Sequence, residues 1–303
     1  MERRRIGSLE VSAVGIGCNN FGWRIDAEQT AAVVNAALDA GINFFDTADV
    51  YGGGQSEVFL GRALGSRRAD VIIATKFGHP GNETLRGGRP ETVRKAAEES
   101  LRRLGTDYID LYQMHRPDPD VPIAETLGAL DALVQAGKVR EIGSSNFGAG
   151  QIRDAEDAAP GARFVSVQNE YSLLQRAPEV DVLEECERLG QAFLPFFPLA
   201  SGLLTGKYRK GQPLPEGARL ADPQWEARMR ADERLDAVER LIAFAESRGH
   251  TVLELSFAWL LARPVVASVI AGATKPAQVH ANAAAAGWSL TADDMAEIDR
   301  VLG

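Results

Sequence analysis

The chain has 303 residues, 45% hydrophobic and 25% charged, enough apolar material for one large core or two small ones. Its formal net charge of −9 argues against nucleic acid as the main partner, because phosphate binding needs a clustered basic surface. No apolar run approaches the roughly 20 residues of a membrane span, and the opening MERRRIGSLEV has no apolar run behind its charges to make it a secretory signal. Only two cysteines occur, Cys18 and Cys186, far apart in sequence, so a disulfide framework is not expected and a cytoplasmic setting is.

In chain order, RRRIGSLEVSAVGIG (3–17) carries a Gly-Ser turn between two short alternating runs, which predicts a hairpin placed to plug the floor of a barrel. A first buried strand is predicted over 12–17, and DAEQ at 26–29 carries the spacing of a helix N-terminal capping box. INFFD (42–46) predicts the next strand, followed at once by Tyr51 and three glycines. VIIATK (71–76) follows. Val93, Ala97, Ser100, Leu101 and Leu104 then share one helical face that Gly105 terminates. Further strands are predicted at 108–115, 139–145, 164–168, 192–197 and 265–270. Between the first two of these, Ile123, Leu127, Leu130 and Val134 form a second helical stripe, ended by Gly137. The one long polar stretch, 207–233, is rich in Pro and Gly and reads as a loop or lid.

Strands that are continuous apolar runs, each followed by a helix, mean a parallel sheet buried on both faces. Eight such units over about 250 residues predict a single α/β domain spanning 1–303: a (β/α)8 TIM barrel with an N-terminal hairpin and a C-terminal helix. An open doubly wound sheet has the same local pattern. The count of eight and the lack of a mid-chain composition shift favour the barrel.

Reactive groups of a barrel gather at the C-terminal ends of its strands. The polar residues there are Asp46 with Tyr51 one loop on, Lys76, His115, Ser145-Asn146 and Gln168-Asn169. Any one alone reads as a structural ion pair or a satisfied core histidine. Four ionisable groups at three consecutive strand ends are harder to explain so. A lysine beside Tyr51 stabilises the tyrosinate and is expected to lower its pKa, Asp46 fixes the lysine, and His115 offers a second hydrogen bond. That set suits protonating a carbonyl oxygen while something else attacks the carbon. The four histidines (79, 115, 250 and 280) lack ligand-like spacing, so no metal is expected. The attacking species then comes from a cofactor. GIGCNN (15–20) lacks the third glycine of a dinucleotide fingerprint. Phosphate-binding material lies later, in FFPLASGLLTGK (196–207) and AGATKPAQVHAN (271–282), after the last two strands.

The runs FFDTADVYGGGQSEVFLGRAL, ATKFG, IDLYQMHRPD, GKVREIGSSNF, VQNEYSLL, PLASGLLTGKY and AGATKPAQVHAN, in this order, resemble the aldo-keto reductases over essentially the whole chain. GLLTGKY and the long loop after strand seven are closer to bacterial members and to potassium-channel β-subunits than to the aldose-reductase branch. The resemblance implies NADP(H)-dependent carbonyl reduction with Asp46, Tyr51, Lys76 and His115 as catalytic tetrad and Tyr51 as proton donor. Ser145, Asn146 and Gln168 would hold the nicotinamide carboxamide, and Phe196, where many members carry Tyr, would stack on the ring. Gly17 and Asn19 would border the cofactor, and Leu199, Ser201, Gly202 and Lys207 would follow the pyrophosphate. Gly272, Thr274, Lys275, Gln278 and Asn282 would surround the adenosine 2′-phosphate and adenine. Trp23, Phe77, Arg116 and Trp225 fall on rim loops where they can line the pocket of a small carbonyl substrate. Two other readings stay open: a Schiff-base aldolase using Lys76, and an NADPH-holding sensor or regulatory subunit. The absence of an extra N-terminal peptide weighs against the second.

Overall fold

The computed structural model describes residues 1–213 and 232–303. Most of the loop or lid expected over 207–233, with Trp225, lies outside the described residues.

Strands β1 (Arg3–Ile6) and β2 (Leu9–Ser12) form the expected antiparallel hairpin, and Gly7 takes the left-handed conformation its turn requires, with φ 55°. Ile6, Leu9 and Val11 pack with Phe44, Ala74, Leu111, Leu194 and Ile270, side chains of the barrel strands, so the hairpin closes one end of the barrel. Arg4 ties it down by donating to the carbonyls of Val266 and Leu261.

The barrel strands are β3 (Val14–Gly17), β4 (Phe44–Asp46), β5 (Ile72–Phe77), β6 (Ile109–Met114), β7 (Val139–Ser145), β8 (Phe164–Glu170), β9 (Ala192–Phe196) and β10 (Val269–Gly272). All pair in parallel in the order β10-β3-β4-β5-β6-β7-β8-β9. Burial on both faces explains their composition, and all six residues of β6 are buried. The last strand starts later than 265. Val265 and Ala267 bond instead to Phe193 of β9, at 2.7 and 3.1 Å, and only Val269–Gly272 pairs with β3. Two short segments thus hold two different neighbours, which closes the eight-stranded ring.

Both predicted helical stripes face the barrel. In the helix Pro90–Leu104, Val93, Ala97, Ser100, Leu101 and Leu104 are buried, and Gly105 ends it with φ 64°. In the helix Ile123–Gln135, Leu127 and Leu130 are fully buried and Ile123 and Val134 half-buried against the core. The capping box at Asp26 and Gln29 is present. The main core therefore lies between strands and helices, and the opposite end of the ring from the hairpin is left to the βα loops.

Candidate active site

Strand β4 delivers Asp46, and the chain then reverses through Tyr51-Gly52-Gly53-Gly54 into the helix Gln55–Leu64. All three glycines have positive φ, 57°, 63° and 90°. A Cβ on Gly52 would stand 2.9 Å from the Phe21 carbonyl oxygen, so Gly52 excludes a side chain by conformation and by space. The turn brings Tyr51 back over the end of β5. There Lys76, fully buried, donates from Nζ to Asp46 Oδ2 at 2.6 Å and to the Thr47 carbonyl at 2.9 Å. The same ammonium lies 5.2 Å from the centroid of the Tyr51 ring. Just past β6, the ring of His115 meets that of Tyr51 edge-on, centroids 5.9 Å apart. The four ionisable strand-end groups therefore form one cluster.

Asp46 Oδ1 accepts from Gln168 Nε2 at 2.8 Å and Gln113 Nε2 at 3.2 Å. Gln113 escaped sequence reasoning because it stands inside a strand; its one signal was being two residues before His115, hence on the same face. Burial works against the Lys76 ammonium, but Asp46, then Tyr51, outweigh it and raise its pKa above that of an ordinary lysine. Tyr51 differs from expectation. Burial raises its pKa above the usual phenol value, and the opposing pull of Lys76 reduces this rise without reversing it. Burial, with the charges of Lys76 and Arg116 and the neighbouring His79, drives His115 well below the ordinary histidine range, so its ring is neutral. Its Nδ1 is buried with no hydrogen-bond partner.

Beside this cluster runs a cleft of about 370 Å³. Of the residues expected around a cofactor, Gly17, Asn19, Ser145, Asn146, Gln168, Phe196, Leu199, Ser201, Gly202, Lys207, Gly272, Thr274 and Gln278 line it. Asp46, Tyr51 and His115 also line it, and Lys76 lies beneath. Ser145 Oγ donates to the Gln168 carbonyl, and Asn146 Nδ2 donates to the His115 carbonyl at 3.0 Å, which locks these strand ends together. Among the described residues, the non-glycine positions with positive φ are Asn146, Phe197, Ala200 and Ser201, all at or beside this cleft. Such conformations cost on the order of 1–3 kcal/mol each and collect at functional sites.

Two expected residues stand outside the cleft wall. Lys275 is the exposed N-cap of the helix Pro276–Ala285, with Pro276 in its first turn, and Asn282 is buried within that helix. Gln278 Oε1 accepts from the Thr274 backbone N–H at 2.7 Å, which holds the turn. Phe77 is not a rim residue: it is fully buried, packed on Tyr112 with ring centroids 4.8 Å apart. Trp23 is 56% exposed, and Arg116 lines the cleft. Asn20, Arg24 and Thr205 line it too, unanticipated because they lie within loops rather than at strand ends.

A closed parallel barrel with a buried lysine–aspartate pair, a tyrosine and a neutral histidine at its rim, beside a cleft of mixed polar and apolar lining, defines a class of oxidoreductase rather than one enzyme. The model of the aldo/keto reductase family matches residues 13–302. Aldo-keto reductase YhdN of Bacillus subtilis (strain 168) is 37% identical over 97% of this chain and 91% of its own length. A probable voltage-gated potassium channel subunit beta of Arabidopsis thaliana is 35% identical over 93% and 90%. Among solved structures, the glycerol dehydrogenase AKR11B4 from Gluconobacter oxydans superposes with a TM-score of 0.86 at 33% identity, covering 99% of this chain and 94% of that one. The holo form of AKR11C1 from Bacillus halodurans gives 0.84 at 34% identity, covering 99% and 96%. This chain belongs to the aldo/keto reductase family.

Proposed function

We propose that the protein is an NADPH-dependent reductase of aldehydes or ketones, with Tyr51 as general acid. The observation that carries this reading is the placement of Lys76, pinned by Asp46 and the Thr47 carbonyl and lying against the ring of Tyr51. The cleft suits a nicotinamide dinucleotide. Ser145, Asn146 and Gln168 are amide and hydroxyl groups grouped at two adjacent strand ends, ready for a carboxamide. Phe196 offers an aromatic face, and Lys207 a cation beside the strained turn of Ser201 and Gly202. A nicotinamide bound there supplies hydride to the carbonyl carbon. The chain's own residues do the rest. Tyr51 gives its proton to the carbonyl oxygen as negative charge develops, so carbonyl, hydride and proton sum to the alcohol. Lys76 stabilises the tyrosinate left behind, and Asp46 keeps the ammonium in place. His115, neutral, contributes a hydrogen bond to the substrate oxygen without competing as an acid.

The raised pKa of Lys76 speaks against a Schiff-base aldolase, which needs a neutral amine. The channel-subunit relative supports a second reading, a cofactor-holding regulatory subunit with little turnover. One measurement separates the readings: NADPH oxidation across a panel of aldehydes, ketones and quinones. Turnover that Tyr51→Phe abolishes supports the reductase. Tight NADPH binding with no turnover on any member favours the regulatory subunit.

A further inference from the structure

The charges around the cleft are one-sided. Its cationic lining residues are Arg24, Arg116 and Lys207, whereas its one carboxylate among the described residues, Asp46, is already spent on Lys76. This sits within a chain of net charge −9. Lys207 belongs to the loop after β9 that carries Ser201 and Gly202. The two arginines stand elsewhere. Arg24 follows β3 and Arg116 follows β6, so they flank β4 and β5, the strands that deliver Asp46, Tyr51 and Lys76. Both are exposed, and neither forms a salt bridge with a described residue; Arg24 lies 5.3 Å from the ring of Trp23. Beside Arg116, His79 and His115 pack ring against ring at 4.7 Å. After burial, the charge of Arg116 lowers the pKa of His79, and those of Lys76 and Arg116 lower that of His115, so positive charge reaches both imidazoles from Arg116.

We propose that this end of the cleft selects carbonyl substrates that carry an anionic oxygen group, a carboxylate or a phosphate, with Arg116 and Arg24 gripping that group while the carbonyl faces Tyr51 and His115. The proposal rests on the reductase reading above. A guanidinium matches planar carboxylate and tetrahedral phosphate oxygens through paired N–H donors. An exposed pair alone contributes little. The gain here requires two cations converging on one anion beside a partly dry wall, and a long-range attraction that salt screens.

The test compares matched substrates with NADPH: benzaldehyde against 4-carboxybenzaldehyde, and glyceraldehyde against glyceraldehyde 3-phosphate. The expected ratio of kcat/KM, charged over neutral, is about tenfold or more in at least one pair, carried mainly by KM and shrinking as ionic strength rises. The pair that shows it tells carboxylate from phosphate. In Arg116→Gln and Arg24→Gln the ratio should fall toward one, and in Arg116→Glu below one. A wild-type ratio near one in both pairs overturns the proposal while leaving the reductase standing. Loss of NADPH affinity in the arginine variants with the ratio intact also overturns it, by assigning the arginines to the cofactor. Reduction of none of the four compounds, nor of any member of the wider panel, is instead a failure of the reductase reading.

Discussion

Tyr51 is where the energetics of the site concentrate, because it is half-buried at the cleft wall and its pKa is raised despite Lys76. Under the proposed mechanism its proton is given up only when an oxyanion forms beside it, so Tyr51→Phe should lose ~10²–10⁴-fold in kcat and leave the Kd for NADPH nearly unchanged. Steady-state kinetics and a fluorescence titration check the two halves, and near wild-type turnover would remove Tyr51 from the acid's role. Lys76→Met withdraws the one cation that opposes the effect of burial, so any pH limb belonging to the tyrosine should move upward. A pH–rate profile superimposable on wild type would show that the lysine does not tune the acid. At this scale the sequence was informative where polarity interrupts an apolar strand at its end, as at Asp46, Lys76 and His115. It was silent where polarity falls mid-strand: Gln113 shares Asp46 Oδ1 with Gln168, across separations of 67 and 122 residues. It misjudged Tyr51's pKa because the stabilising charge was visible in the sequence and the depth of burial was not.

Elements set what these residues can reach. Pro276 opens the helix Pro276–Ala285 with Lys275 at its N-cap, so the lysine stands beside unpaired backbone donors and the positive end of the helix dipole. A 2′-phosphate there gains an ion pair as well as the helix-end donors, whereas NADH leaves the cation unused. Lys275→Ala should therefore weaken NADPH binding by ~1–3 kcal/mol and barely change NADH binding, as titrations with each cofactor would show. Equal losses, or a wild-type preference for NADH, would sink the assignment. A purely structural element test lies at Gly61. Its Cβ would fall 2.2 Å from the Leu104 carbonyl oxygen, where the helices Gln55–Leu64 and Pro90–Leu104 touch. Gly61→Ala must push them apart and should lower Tm markedly despite alanine's better helix propensity; an unchanged or raised Tm would contradict that contact. The capping box at Asp26, the terminal glycines and the helical stripes were legible because their signals are local. The last strand was misplaced because Val265 and Val266 have strand composition but pair with β9 and not with β3, and composition does not say which neighbour a strand serves.

For the whole molecule, the count of alternating strands and helices was sufficient to read the barrel, and the alternation in the N-terminal hairpin to place it as the plug. What stayed hidden was a buried charge network next to the candidate active site, where the Asp49 N–H donates to the Lys76 carbonyl. Glu57, fully buried, accepts from Thr75 Oγ1 and Arg103 Nε, each at 2.6 Å, joining residues up to 46 positions apart. Beside it Asp49 is almost fully buried, with Oδ2 accepting from Asn82 Nδ2 at 2.9 Å and Oδ1 without a hydrogen-bond partner. Burial, and then repulsion from Glu57, push the Asp49 carboxyl from 3.8 up to about 7, more than Asn82 and Arg103 offset. Folding therefore favours the protonated acid. A carboxyl whose pKa is higher folded than unfolded stabilises the fold below its unfolded value, and that contribution is lost as pH rises through the folded value. The window here is pH 4 to 7, and at ~1.4 kcal/mol per pH unit the loss is at most about 4 kcal/mol. Outer carboxylates held low by their hydrogen-bond donors, such as Glu179 by Arg176 and Asp294 by Thr291, act with the opposite sign and mainly below this window. The informative quantity is thus the difference between wild type and Asp49→Asn, an isosteric change that keeps an acceptor for Asn82 and removes the titration. Denaturant unfolding from pH 4 to 8 should show the variant gaining on wild type as pH rises, with most of the gain between pH 5 and 7. Parallel stability curves for the two proteins across that range would mean that Asp49 is ionised at little cost and that the network around it accommodates its charge.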